Sequence, residues 1–153
     1  MGTRSTYRVI QQWTDRDTAR IKRQNLVLLY AQYDGYPDGH PLDTAKWLAS
    51  GKVVNGFGIT DQQPLLFNGA GCLAAQLIAK YKDGVGGQYI YPMNHRGNCG
   101  EDYIYDIIVK DDKEIEYIAY EWNLKNDKVV FKKIFQGSPE DFILKFEPAL
   151  ETN

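Results

Sequence analysis

Tyr103-Ile104-Tyr105-Asp106-Ile107-Ile108-Val109-Lys110 is the stretch whose reading decides the fold. Tyr103, Tyr105, Ile107 and Val109 recur at the two-residue period of a strand, so they share one face. Asp111-Asp112-Lys113 follows as a turn, and residues 115–122 alternate again. Two alternating runs joined so tightly require adjacent antiparallel strands, because a slip of one residue would turn every apolar side chain to the wrong face. Asn126-Asp127 makes a second turn into residues 129–135, which extends the pair to a three-stranded meander.

Beyond the meander, Ser138 reads as an N-cap, Pro139 as a first helical position, and Glu140 and Asp141 as acids near the positive end of a helix dipole. Phe142 and Phe146 form that helix's apolar stripe and Pro148 ends it. Upstream, residues 88–92 read as a strand. Asn68 reads as the N-cap of the principal helix, whose Ala70, Leu73, Ala74, Leu77, Ile78 and Tyr81 follow helical spacing up to Asp83-Gly84. A shorter helix opens at Pro41 and Asp43, carries Leu42, Ala45 and Leu48 on one face, and stops at Ser50-Gly51. Residues 6–10 and 26–33 are strands, joined antiparallel across a charged, solvated loop at 14–25. Helices are therefore segregated from strands. The expectation is a single α+β domain over residues 1–153, with a mostly antiparallel sheet of about six strands and two or three helices packed on it.

Composition narrows the function classes. With 153 residues and 43% hydrophobic content the chain suits one core without a metal or a disulfide framework, and Cys72 and Cys99 are its only cysteines. The apolar runs at 26–31 and 72–79 fall well short of the ~18 residues that suggest a membrane span. Met1-Gly2-Thr3-Arg4-Ser5-Thr6 has no apolar run behind it, so the expected location is the cytoplasm. A formal net charge of −2 argues against bulk binding of nucleic acid. Charge is unevenly spread, with net +4 over residues 1–24 and net −4 over residues 111–153. That asymmetry favours self-association as a homo-oligomer or the steering of a charged ligand.

Several stretches carry groups that chemistry uses. Gly69-Ala70-Gly71-Cys72-Leu73-Ala74 fits the glycine-rich dinucleotide pattern, with 64–67 as a short strand before it, but no acidic residue ends a strand about 20 residues on. A simpler reading keeps an anion at the free N–H groups of this helix start; the alternative is that small residues let the helix pack closely on the sheet. His40, Cys72, His95 and Cys99 have the atoms of a zinc site without its spacing; Asp34, Asp38 and His40 have groups that could bind a divalent cation or act as acid and base, but read more simply as turn residues bonding the backbone. No hydrolase, protease or P-loop signature appears, and no cofactor is expected. Residues 94–102 form a loop dense in hydrogen-bonding groups between Tyr-rich strands. Arg4, Arg8 and Arg96 suit phosphate or carboxylate, while Tyr33, Tyr36, Tyr89, Tyr91, Tyr103 and Tyr105 offer either stacking faces or ordinary strand packing.

Gly2-Thr3-Arg4-Ser5-Thr6, the run from Tyr30 to Pro37 (Tyr-Ala-Gln-Tyr-Asp-Gly-Tyr-Pro) and the run from Asn68 to Gln76 (Asn-Gly-Ala-Gly-Cys-Leu-Ala-Ala-Gln) together resemble a family of small uncharacterised proteins from bacteriophages and bacterial genomes. The resemblance spans nearly the whole chain. It implies a phage or prophage setting, in which small proteins counter host defences by binding a protein or a nucleotide signal. The leading expectation is a binding protein that sequesters a small anionic, nucleotide-like ligand without turnover. Its expected ligand-binding residues are Arg4, Tyr33, Asp34, Tyr36, His40, Asn68, Gly69, Gly71, Tyr91, His95, Arg96 and Tyr103. The alternatives are an inhibitor that binds a host protein through its surface, and a nucleotide hydrolase acting through Asp34, His40 or His95.

Overall fold

The computed structural model describes residues 2–56 and 65–148. Along the chain run β1 (Ser5–Thr14), β2 (Ile21–Ala31), α1 (His40–Ser50), β3 (Lys52–Val54), β4 (Leu66–Asn68), α2 (Gly69–Tyr81), β5 (Gln88–Tyr91), a 3-10 turn (Met93–His95), β6 (Tyr103–Lys110), β7 (Glu114–Lys125), β8 (Lys128–Gly137) and α3 (Pro139–Phe146). Six strands form one sheet in the order β5-β2-β1-β6-β7-β8. Every neighbouring pair is antiparallel except β1 and β6, which run parallel at the centre. A parallel pair needs a long crossover, and the segment between β2 and β6, with α1 and α2, supplies it. The architecture is α+β, as the alternation predicts.

β6 explains why the helices sit where they do. Tyr105, Ile107 and Val109 point into the main core with Tyr7 and Val9 of β1 and Tyr117 and Ala119 of β7. Leu42, Ala45 and Leu48 of α1, Leu73 and Leu77 of α2, and Phe142 of α3 close over them. Ile108 points the other way and packs with Ile10 and Ile118 in a small second cluster. Both faces of β6 are covered, so residues 104–109 are apolar almost throughout, as a central strand requires. Asp106 is the exception.

Three buried tyrosines tie the loop after β2 to the sheet. Tyr105 Oη donates to the Gly35 carbonyl at 2.8 Å, Tyr117 Oη donates to the Pro41 carbonyl at 3.1 Å, and Tyr7 Oη lies 2.7 Å from His40 Nδ1. A buried phenol needs a partner, and residues 34–41 provide all three. Gly35 lies so close to β1 that a Cβ there would sit 2.9 Å from Ser5 Cβ, which leaves room for glycine alone. The turn-rich stretch is thus a lid on the tyrosine row.

Four local features differ from the sequence reading. The β1–β2 ladder continues to Thr14 and Ile21, so the loop expected at 14–25 shrinks to residues 15–20. Charged side chains do not prevent backbone pairing, and Asp15 holds the turn by accepting from the Asp17 and Thr18 amides. β3 was not foreseen; its three residues pair parallel with β4. That pairing places the expected 64–67 strand at Leu66–Asn68, with residue 64 outside the described residues. Asn68 stands at the N-cap position of α2 but makes no side-chain cap, because its Oδ1 accepts from the Gly56 amide at 2.7 Å.

Ser138 does cap α3, accepting from the Asp141 amide at 3.1 Å. Ser138→Ala should lower the unfolding free energy by about 1 kcal/mol, read from the shift of a urea midpoint at unchanged slope. An unchanged midpoint would show that the cap adds nothing.

Candidate functional site

One end of the sheet gathers the N-terminal segment, the loop after β2 and the loop before β6. The Gly35 amide donates to the Thr3 carbonyl at 3.0 Å, and the Arg4 amide to Asp102 Oδ2 at 3.1 Å. Asp102 returns a bond from its own amide to the Arg4 carbonyl, and the Trp122 amide donates to the Asp102 carbonyl, both at 2.9 Å. Asp102 therefore joins three chain segments at this end.

Between them lies a groove of about 240 Å³ lined by Thr3, Tyr36, Asp102, Tyr103, Glu121 and Trp122. The Tyr36 and Tyr103 rings meet edge-on at 5.9 Å, and Tyr103 Oη donates to Glu121 Oε1 at 3.4 Å. Tyr36 is 55% exposed and Trp122 is 44% exposed, with Tyr33 nearby on the same end at 60%. On the far side of Trp122 a second depression of about 340 Å³ is lined by Gly97, Gly100, Val129 and Phe131 among others, with Asp102 and Trp122 shared. Beyond it the β7–β8 hairpin runs past the sheet, turning through Asn126 and Asp127, both at positive φ. Its Leu124 and Val129, cross-strand partners, are more than half exposed.

The face of the sheet away from the helices carries a different set. Asp106, 1% exposed, is held by two guanidiniums at once. Arg8 donates through Nε and Nη2 at 3.0 and 2.9 Å, and Arg96 through the same atoms at 3.3 and 2.8 Å. The Arg96 guanidinium also lies 5.5 Å from the Tyr120 ring centre. Close by, the Glu101 carboxylate accepts from Thr6 Oγ1, from the Gly97 and Cys99 amides and from Cys99 Sγ, and so folds residues 97–101 around itself. Burial, and then Glu101, push the Cys99 thiol up to about 12, which leaves it a poor nucleophile at neutral pH. Tyr91 stacks on Tyr30 at 5.2 Å and touches the His95 ring at 5.3 Å.

The expected ligand-binding residues thus fall into three places. Arg4, Tyr33, Asp34, Tyr36 and Tyr103 gather at the loop end, with His40 half-buried at the start of α1. Tyr91, His95 and Arg96 lie on the helix-free face. Asn68, Gly69 and Gly71 sit at the opposite end of the sheet, where a Cβ on Gly69 would stand 3.5 Å from Asp112 Oδ1. The eight residues of β6 separate the two ends by roughly 25 Å at a strand's rise of about 3.3 Å per residue. Arg4 and Arg96 therefore do not close on the α2 N-terminus, and the carboxylate beside it opposes an anion there.

Asp34 and His40 are engaged in structure. Asp34 sits at φ +59° and its carbonyl accepts from the His40 amide at 2.7 Å. His40 contacts Tyr7, Thr44, Gln88 and the Tyr81 ring, and burial lowers its pKa from 6.5 to about 4. Tyr7 is raised well above the ordinary phenol range by the same burial. Cys72 donates to Gln76 within α2. Among the described residues, no group of three or more His, Cys, Asp and Glu side chains is placed to hold a metal ion. No helix among them is long and apolar enough to cross a membrane.

Sequence reasoning passed over Glu101, Asp106, Glu121 and Trp122. Asp106 carried a signal, as one charge inside an apolar strand. Trp122 carried only its place at the end of an alternating run. Comparison with protein-family models, with curated proteins and with solved structures finds no significant match to this chain.

Proposed function

We propose that the chain acts by binding a protein partner, without turnover, through the groove at the loop end of the sheet. The observation that carries this reading is the collection of exposed Tyr36 and Trp122 with Tyr103 around a concave surface, with Tyr33 on the same end. Tyrosine and tryptophan anchor protein interfaces because they give large contact area at small entropic cost. The resemblance to phage proteins would make the partner a host factor. A nucleotide-like ligand has less support, since Arg8 and Arg96 spend their paired donors on Asp106 and the α2 N-terminus lies at the wrong end of the sheet.

Panning a displayed random-peptide library against the purified protein should enrich peptides that bind wild type at micromolar affinity. The double variant Tyr36→Ala, Trp122→Ala should weaken them at least tenfold with little change in melting temperature. Calorimetric titration with a panel of mono-, di- and cyclic nucleotides should give no binding heat. Peptides that bind the variant equally well, or a nucleotide that binds tightly, would overturn the proposal.

A further inference from the structure

We infer that the groove recognises a cationic side chain, arginine or lysine, on the partner protein; this rests on the protein-binding reading above. Two carboxylates, Asp102 and Glu121, line the groove with Tyr36, Tyr103 and Trp122, and none of the lining residues is basic. Asp102 Oδ2 takes one backbone N–H and Glu121 Oε1 takes a long bond from a phenol, so each retains accepting capacity toward the groove. A negative carboxylate repels an anion and accepts from a guanidinium or ammonium, while the aromatic faces attract the same cation through their quadrupoles. The carboxylates and the rings that line the groove together select one ligand class. An uncharged apolar side chain would satisfy the rings and leave the carboxylates partly desolvated without a partner.

The probe is N-acetyl-arginine amide, with the uncharged isostere N-acetyl-citrulline amide as control. Binding is read by NMR from the Trp122 indole N–H, assigned against Trp122→Phe. The arginine probe should give a saturable shift at millimolar concentration and the citrulline probe none. Raising NaCl from 50 to 300 mM should weaken binding several-fold, because exposed charges are screened. Glu121→Gln changes an exposed strand residue and should weaken the probe at least fivefold while leaving the melting temperature unchanged. Trp122→Leu, which keeps apolar bulk and removes the ring, should weaken it by a similar factor, read in that variant from the Tyr103 backbone amide.

Equal shifts from both probes, or an unchanged affinity in Glu121→Gln, would overturn the cation assignment. In that case peptides from the panning experiment that lack Arg and Lys yet depend on Trp122 would leave the protein-binding reading standing. A shift that appears on concentrating the protein alone, and vanishes in Arg16→Ser, Arg20→Ser, would overturn the assignment to a different protein by making a second copy's basic hairpin the occupant.

Discussion

Asp106→Ala should lower the unfolding free energy by about 3 kcal/mol. The carboxylate is 2% exposed and each of its two arginines keeps only a fifth to a quarter of its side chain in water. Removing one member of a buried ion cluster costs about 3–5 kcal/mol, because the charges left behind have lost water without gaining a partner. Here two guanidiniums are stranded, one of them against the Tyr120 ring that packs on Ile10, Ile108 and Ile118. Their partial exposure lets them swing toward solvent, which holds the loss to the lower end of the range. Replacing all three members with apolar residues, as Arg8→Met, Arg96→Met, Asp106→Leu, should recover most of the loss, since no charge is then desolvated. Urea titrations of the three proteins decide the matter. A loss below about 1 kcal/mol in Asp106→Ala would mean that the arginines re-pair at no cost.

The same cluster shows what could be read in the sequence and what could not. Residues 103–109 and 115–122 were legible as β6 and β7 because β-branched and aromatic residues dominate both and a tight turn joins them, although β6, covered on both faces, is apolar almost throughout. Ser138 and Pro139 announced α3 because capping is local chemistry. The parallel pairing of β1 with β6 lies beyond such reasoning, since it joins residues almost a hundred positions apart: Arg8 faces Asp106 only through that register. Asp106 read in isolation is an anomaly in an apolar run; beside Arg8 and Arg96 it is a fully satisfied ion cluster. β3 escaped notice because three residues carry too little pattern to distinguish strand from loop.

The motif-bearing stretches were legible as special, yet the role the structure gives them is mainly architectural. Gly35 and Pro41 lend carbonyls to Tyr105 and Tyr117, and Glu101 organises the loop before β6 from within. Asn68, Gly69 and Gly71 were grouped with Arg4 and Arg96 on the strength of their chemistry alone. Nothing in a linear sequence states which end of a sheet a helix begins at, and that one topological fact separates them. Trp122 and Glu121 join the groove for the converse reason. The long β7 brings Glu121 level with Tyr103 at the start of β6 and carries Trp122 beyond it, where the loops from the N-terminus and from β2 converge.

Acidification should destabilise the protein through His40. Both of its ring nitrogens face partners, Tyr7 Oη at 2.7 Å on Nδ1 and Gln88 Nε2 at 3.4 Å on Nε2. In either neutral tautomer one nitrogen accepts, so a second proton turns an acceptor into a donor and forces a partner to reorient. Tyr81 covers the ring at 4.2 Å and shields it from water, while Asp43 and Asp34, the nearest charges, offset only part of the burial cost. The folded pKa falls to about 4, against about 6.5 when unfolded. Between those values the unfolded chain binds a proton that the folded chain refuses, so stability is intact above pH 6.5 and declines as pH falls toward 4. With each pKa unit worth about 1.4 kcal/mol, the loss should reach about 2 kcal/mol at pH 5 and about 3 kcal/mol at pH 4. His40→Gln keeps a polar group against Tyr7 but cannot take up the proton. Its urea-derived stability should differ between pH 7 and pH 5 by at least 1 kcal/mol less than wild type does. Parallel pH profiles for wild type and His40→Gln would assign the acid sensitivity to other groups and remove His40 from the account.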